Sequence, residues 1–395
     1  KNVYVKLTVP KNINLYVDEG LNEIKSNEVY KSSVIPYKYG IPISNKDDLV
    51  AFLKHDTAYK GGIYTDRSAN YIITDNINMK NANITYMDMH NAGVFYGNLD
   101  GQFHTVSNPP VAFFIETAGT TSKAVLIENL IITNSTAAYT GENVAVNHMC
   151  SSALVVYNSG VLKVSKVMLS NSVLQGSLDG GGLVGKSDHA KTGADVTLDQ
   201  CVSNGVKIIG HSTGYRVLGG LAGYICNSRI TNNFSIKSEI SSPNSQNQYA
   251  WIGGLTGAIG SYSGEFENNY VSAKIANIPV AGGVNSYKSS AMENYPNGLP
   301  TGTVIMRNSY YDKSISPGSY LTEFPEIKGT ALSTDQMIGE SSVLATAFGD
   351  NGIWKYREGS YPILAWIENH PVAKMYTSTR GAFTSVIPDQ TSPAD

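Results

Sequence analysis

The five-residue phrase Gly-Gly-Leu-X-Gly occurs three times, at 181–185, 219–223 and 253–257, and only its fourth position changes (Val184, Ala222, Thr256). A catalytic glycine loop is needed once, so a phrase written three times marks architecture and asks for the rest of a repeat. A second phrase follows each copy: "LDQCVS" at Leu198, "ITNNFS" at Ile230 and "FENNYV" at Phe266. The same template finds "IENLII" at Ile127, "VSKVML" at Val164 and "MRNSYY" at Met306. Position one reads Ile127, Val164, Leu198, Ile230, Phe266, Met306, and position five reads Ile131, Met168, Val202, Phe234, Tyr270, Tyr310. Position three reads Asn129, Lys166, Gln200, Asn232, Asn268, Asn308, successive members standing 32 to 40 residues apart. The glycine box has degenerate copies in "VAFFIETAG" from Val111, "SSALVVYNSG" from Ser151 and "GGVNSY" from Gly282, giving six units between 111 and 312. The stretch "GVFYGNLDGQFHTVSN" at 93–108 reads as a further unit before them.

Apolar residues at positions one and five follow strand periodicity, and the box is a short apolar run bounded by glycines. Nothing between them carries a 3.6-residue apolar period, which excludes helical solenoids. A propeller blade needs four strands, and each unit supplies two or three. The expectation is therefore an all-β parallel β-helix of seven or eight coils, stacked about 4.8 Å apart with apolar ladders facing inward. In it, Leu183, Leu221 and Leu255 face the core. Gly181, Gly182, Gly185, Gly219, Gly220, Gly223, Gly253, Gly254 and Gly257 supply positive φ and close backbone approach at a corner. Asn129, Asn232, Asn268 and Asn308 stack and hydrogen-bond along the array.

The boundaries expected are a β segment at 1–40, an N-terminal cap with the first strands at 41–92, the repeats at 93–325, a C-terminal cap at 326–370 and a tail at 371–395. The first cap carries a helix over 46–54 with Ser44 as its N-cap and Leu49, Phe52 and Leu53 as its apolar face. The second carries a helix within 334–348, and Trp354, Tyr361, Pro362 and Trp366 close the last coil.

Charged residues make up 15% of the chain, against about 25% in an ordinary soluble domain, while Gly (38) and Tyr (25) are abundant. A net charge of −3 gives no reason to expect nucleic acid or an acidic membrane as partner. No run of about 18 apolar residues is present to span a bilayer. Cys150, Cys201 and Cys226 are odd in number and form no CxxC, so they read as buried thiols. The chain starts at Lys1, which suggests a removed leader.

The three boxes, each followed by an apolar-X-Asn-X-aromatic phrase, resemble the GLUG motif of large bacterial surface proteins. That group includes candidate adhesins and the non-catalytic part of some IgA-cleaving metalloproteases. "IPISNKDDLVAFLK", "YIITDNINMK" and "FYGNLDGQFHTVSN" are similar to the start of such domains, and "NSYYDKS", "LSTDQM" and "YPILAWI" to their end. The resemblance spans about residues 41–367 and looks most like surface proteins of Bacteroidales, several of them described as cell-adhesion proteins. It implies a right-handed β-helix and an exported, surface-displayed location. It implies no ligand.

Candidates for chemistry are few. No HExxH and no GxSxG occurs, and the seven histidines show no metal spacing. No cofactor and no metal are expected. Position two of the second phrase reads Glu128, Ser165, Asp199, Thr231, Glu267, Arg307, alternating acids with hydroxyls before a final arginine, as an outward column that keeps like charges apart would. The loop "GKSDHAKTGADVTLD" gathers Lys186, Asp188, Asp195 and Asp199, the composition a calcium-dependent lyase needs. "LDGQFHT" places Asp100 near His104, which reads as a tight turn and a packed ring. "DTA" at 56–58 is a short O-glycosylation pattern with Thr57 as acceptor. Tyr262, Tyr287, Tyr295 and Tyr311 lie in or near loops and are the ligand-gripping candidates. The expectation is a non-enzymatic, monomeric, adhesin-like rod that binds a glycan or a protein on a host or bacterial surface. A polysaccharide lyase or glycosidase is the first alternative and a passive stalk the second.

Overall fold

The computed structural model describes residues 3–6, 15–16, 23–24, 29–32, 40–137, 150–187, 195–211, 216–242, 250–260, 263–276, 281–282, 285–288, 304–315 and 329–368. Strands account for 48% and helices for 13%, so the chain is all-β. Val3–Lys6 pairs antiparallel with Val29–Ser32, and Leu15–Tyr16 with Glu23–Ile24. Among the described residues from Ile41 to Leu332 every strand pairing is parallel.

Three parallel sheets run through the repeats, the two smaller taking one strand from successive units and the largest one to three. In the largest, position one forms a continuous column in which Ile127, Val164, Leu198, Ile230, Phe266 and Met306 are direct neighbours. Upstream it continues through Leu99, Tyr71 and Ile41. The array therefore begins at Ile41 and its column has nine members. Residues 41–43 and 70–73, within the expected cap and first strands, are strands of the same sheet, although they carry no glycine box. The two shorter sheets hold the boxes, with Gly181, Gly219, Gly253 and Gly282 in one register column.

Position three is where the backbone turns. Asn129, Lys166, Gln200, Asn232, Asn268 and Asn308 all hold positive φ, between 44° and 58°. One left-handed residue between two extended stretches inverts which side the later residues face. Accordingly, position one packs in the main core together with positions four and six of the early units (Leu130, Ile132, Val167, Leu169). Position five does not, contrary to expectation: Ile131, Met168, Val202, Phe234 and Tyr270 belong to a separate apolar cluster. Asparagine suits the turn because its short amide tolerates left-handed backbone. In four units the strand runs through this residue, as Val125–Thr133, Leu162–Ser170, Gly264–Ala276 and Val304–Asp312; between the middle two it breaks into Val196–Asp199 with Val202–Asn204 and Ser228–Thr231 with Phe234–Ser241. Leu162–Ser170, Gly264–Ala276 and the four pieces between them form a closed ring of parallel pairings.

The box glycines serve close approach, and none of them has positive φ. A Cβ on Gly220 would stand 2.1 Å from the Gly254 carbonyl oxygen, and one on Gly219 2.0 Å from that of Ala222. Leu183, Leu221 and Leu255 are fully buried.

The helix Lys46–Lys54 covers the first core layers. Its N-cap is Asn45, whose side chain accepts from the Asp48 amide, while Ser44 Oγ donates to the Asp48 carboxylate at 2.8 Å. Phe52 meets Tyr71, Phe95 and Phe114 at ring separations of 4.5, 5.8 and 5.9 Å.

Over 334–348 the C-terminal segment holds two short helices, Thr334–Met337 and Val343–Phe348, in place of one, and a third, Ala365–Glu368, follows. It does not simply close the last coil. It lies along the position-five column and forms the second cluster with it: Leu332, Met337, Leu344, Phe348, Trp354, Leu364 and Trp366 join Ile131, Met168, Val202, Phe234 and Tyr270. Tyr270 donates to the Pro362 carbonyl at 2.7 Å and stacks on Tyr361 at 5.8 Å. Trp366 donates from Nε1 to the Gln200 carbonyl at 3.1 Å and stacks on Phe103 at 5.5 Å. The apolar fifth position is thus a docking stripe for residues 329–368. Among the described residues no helix is long and apolar enough to cross a membrane.

Candidate functional site

Of the four tyrosines expected to grip a ligand, Tyr262 and Tyr295 lie outside the described residues, and of Tyr287 only the strand Asn285–Lys288 is described. Tyr311 is not a surface ring. It stands between Val271 and Ala331 in the register, packs in the main core at 8% exposure, and burial pushes its hydroxyl pKa up.

Asp188 lies outside the described residues. Asp195 is half-buried beside the strand Val196–Asp199, and its carbonyl accepts from the Leu162 amide at 2.8 Å. Asp199 is occupied within the ladder: Thr231 Oγ1 and Asn232 Nδ2 donate to Oδ1 at 2.8 and 2.9 Å, and Gln200 Nε2 to Oδ2 at 3.0 Å. These bonds tie it to the next unit of the ladder. Among the described residues no group of three His, Cys, Asp or Glu is placed to hold a metal ion.

The acid-and-hydroxyl column has the register expected of it, and Asp100 extends it as the direct neighbour of Glu128. Asp100 accepts from the Gln102 amide at 2.9 Å and from Asn129 Nδ2 at 3.0 Å, so it shapes the turn before His104. The third-position amides do bond along the array, Asn308 to Asn268 at 3.1 Å and Asn268 to Asn232 at 3.5 Å. A second, fully buried amide pair sits one residue on: the Asn233 amide N–H donates to Asn269 Oδ1 at 2.9 Å, and Asn269 Nδ2 to Ser309 Oγ at 3.2 Å. The doublets "TNNF" and "ENNY" were its signal. The three cysteines are buried and free, and burial pushes the Cys201 thiol up to about 12.

One column mixes rings and charges at partial exposure. It is the position immediately after the glycine box. Glu116, Tyr157, Lys186, Tyr224, Ala258 and Tyr287 are successive parallel neighbours. Glu116, Tyr157, Lys186 and Tyr224 are all half-buried. Lys186 Nζ stands 3.3 Å from Asp179 Oδ2 and 5.5 Å from the centre of the Tyr224 ring. Ser159 Oγ donates to Glu116. Parallel strands stand about 4.8 Å apart, so Tyr157 and Tyr224 flank the ammonium at about 9.6 Å from each other. Two rings offer apolar faces, and the ion pair between them offers donors and an acceptor of balanced charge. Such a strip can hold a flat, hydroxyl-rich ring.

No protein-family model matches the chain, and no curated protein matches it. In fold it is similar to a crystal structure from Bacteroides ovatus described as a candidate immunoglobulin A1 protease. The TM-score is 0.54 at 16% sequence identity, over 83% of this chain and 92% of that one. At this identity the likeness concerns the fold alone.

Proposed function

We propose that the chain is a parallel, right-handed β-helix from Ile41 onward and that it works as a non-enzymatic, surface-displayed binding module for glycans. The unbroken parallel register of the position-one column supports the β-helix reading; handedness and the exported location rest on the GLUG-like phrases. The observation that carries the binding reading is the Glu116–Tyr157–Lys186–Tyr224 column with Asp179 beside it. A sugar ring stacks its C–H face on tyrosine, and its hydroxyls exchange hydrogen bonds with the Lys186–Asp179 pair. The strip is shallow and regular, which suits a repeating chain better than a single small molecule.

The test is a glycan array probed with the purified chain and with a Tyr157→Ala/Tyr224→Ala double variant, with product analysis on every hit. Aromatic stacking contributes about 0.5–1.5 kcal/mol per ring, so the double variant should bind about 5- to 150-fold more weakly at unchanged circular dichroism. Cleaved product, or cleavage of immunoglobulin A1 added because the fold neighbour is named for it, would replace the binding reading with an enzymatic one. Equal binding by the double variant would move the site elsewhere.

A further inference from the structure

The largest sheet has an outward face as well as a core face. Position one points into the core, so the residue before it and position two point outward. Burial follows that alternation over 125–128, 162–165, 196–199 and 264–267. The residue before position one reads Leu126, Lys163, Thr197, Arg229, Glu265, Ile305, all direct register neighbours. Taken with position two, the six strands alternate in sign: Glu128, Lys163, Asp199, Arg229, the pair Glu265 and Glu267, then Arg307. Each sign recurs on every second strand, about 9.6 Å apart. Within the chain this spares adjacent strands like charge, and Glu265 accepts from Arg307 and stands 3.8 Å from Arg229. The face is nevertheless open. Lys163 is exposed, Arg229 and Arg307 keep 62% and 50% of their side-chain surface, and Ile305 is 41% exposed on the last strand.

An alternating row with an even number of members is complementary to its own reverse. Consider a twofold axis parallel to the strands and passing between the third and the fourth. It lays a second copy on the face with the strand order reversed and the columns kept. Glu128 then faces the second copy's Arg307, Lys163 its Glu265, and Leu126 its Ile305, while the strand of Asp199 meets that of Arg229. Symmetry makes every contact twice. A twofold axis along the row would instead set Glu265 against Glu267. We propose that this face pairs with a second copy of the chain in an isologous, antiparallel dimer, in place of the monomer expected from the sequence. Six strands about 4.8 Å apart, with four residues of about 3.3 Å on each, cover about 400 Å² per copy. A standard interface takes about 800 Å² per partner, so the dimer is weak, with a dissociation constant of about 10 µM to 1 mM. The face lies on a different sheet from the Tyr157–Tyr224 column and does not depend on the glycan reading.

Analytical ultracentrifugation of the full chain tests it. The sedimentation coefficient should rise over about 10–500 µM protein in dilute buffer and stay at the monomer value in about 0.5 M salt. Lys163→Glu creates two like-charge contacts across the axis and should weaken association at least about tenfold at unchanged circular dichroism. Cross-linking reads the orientation. Leu126→Cys and Ile305→Cys chains, mixed, should join through a bismaleimide spanning about 10 Å, the separation of packed sheets. Neither variant alone should join, because like ends stand five strands, about 24 Å, apart. The three native cysteines are buried. This arm uses no charge reversal, so it decides even where Lys163→Glu fails to fold. A wild type that stays monomeric to the top of the concentration range in dilute buffer overturns the proposal and leaves the face to an unlike partner. Association that Lys163→Glu does not weaken, or cross-linking of either cysteine variant by itself, also overturns it.

Discussion

Asn232 tests the turn on which the repeat is built. Its φ is 58°, and its Nδ2 donates to Asp199 Oδ1 at 2.9 Å. Asn232→Gly keeps the left-handed backbone and loses the side-chain bond. Asn232→Ala loses the bond and also places a Cβ in the left-handed region. The bond is worth about 1.5–3 kcal/mol for a charged acceptor, at the low end here because Thr231 and Gln200 still reach Asp199. The left-handed conformation costs an ordinary residue about 1–2 kcal/mol, while glycine loses about 0.5–1 kcal/mol more chain entropy than alanine. The alanine variant should therefore be less stable than the glycine variant by about 0.5–1 kcal/mol. At Thr197, an extended strand position paired with Lys163 and Arg229, the order should reverse. Urea midpoints followed by the fluorescence of Trp354 and Trp366, both buried, measure the comparison. Asn232→Gly less stable than Asn232→Ala would refute the reasoning, because position three would then be ordinary strand.

Gly220→Ala drives a Cβ into a neighbouring backbone oxygen at 2.1 Å and should cost about 3 kcal/mol or more, read as a fall in melting temperature or loss of soluble protein. Trp366→Ala removes the stack on Phe103 and the bond to Gln200; a loss of about 3–5 kcal/mol is expected, with limited proteolysis cutting first within 329–368. Thiol titration with Ellman's reagent at pH 8 should count no cysteine in the native protein and all three in denaturant, since each is buried and Cys201 sits near 12. Burial raises the Asp48 carboxyl, but hydrogen bonds from Lys60, Ser44 and Tyr59 outweigh it and hold its pKa below the usual carboxylate value. A lowered folded-state pKa gives stability that is present above about pH 4 and lost as pH falls through the folded value; Asp48→Asn should flatten that acid limb of the melting curve.

The position-one column was legible because parallel stacking sets equivalent residues side by side, so aligned phrases become aligned strands. The role of position five was not. Periodicity assumes extended backbone at every residue, and one left-handed residue at position three turns Ile131, Met168, Val202, Phe234 and Tyr270 away from the main core. The asparagines carried that signal, since few other side chains favour positive φ, but Lys166 and Gln200 obscured it. The glycine boxes suggested positive φ, yet what their positions require is space for a facing backbone. The half-buried column after the box was visible as Lys186 after "GGLVG" and Tyr224 after "GGLAG". Its members share no chemistry, so no consensus marked them. Tyrosines chosen for lying near loops missed it, and Tyr311 failed because strands enclose it on both sides.

The measurement that bears most directly on the binding strip is a chemical-shift titration of the chain, labelled at lysine and tyrosine, with the tightest glycan from the array. Shifts concentrated at Tyr157, Lys186 and Tyr224, saturating together at one dissociation constant, are the expected result. Saturating shifts elsewhere that leave these three unmoved would contradict the assignment of the column as the binding surface.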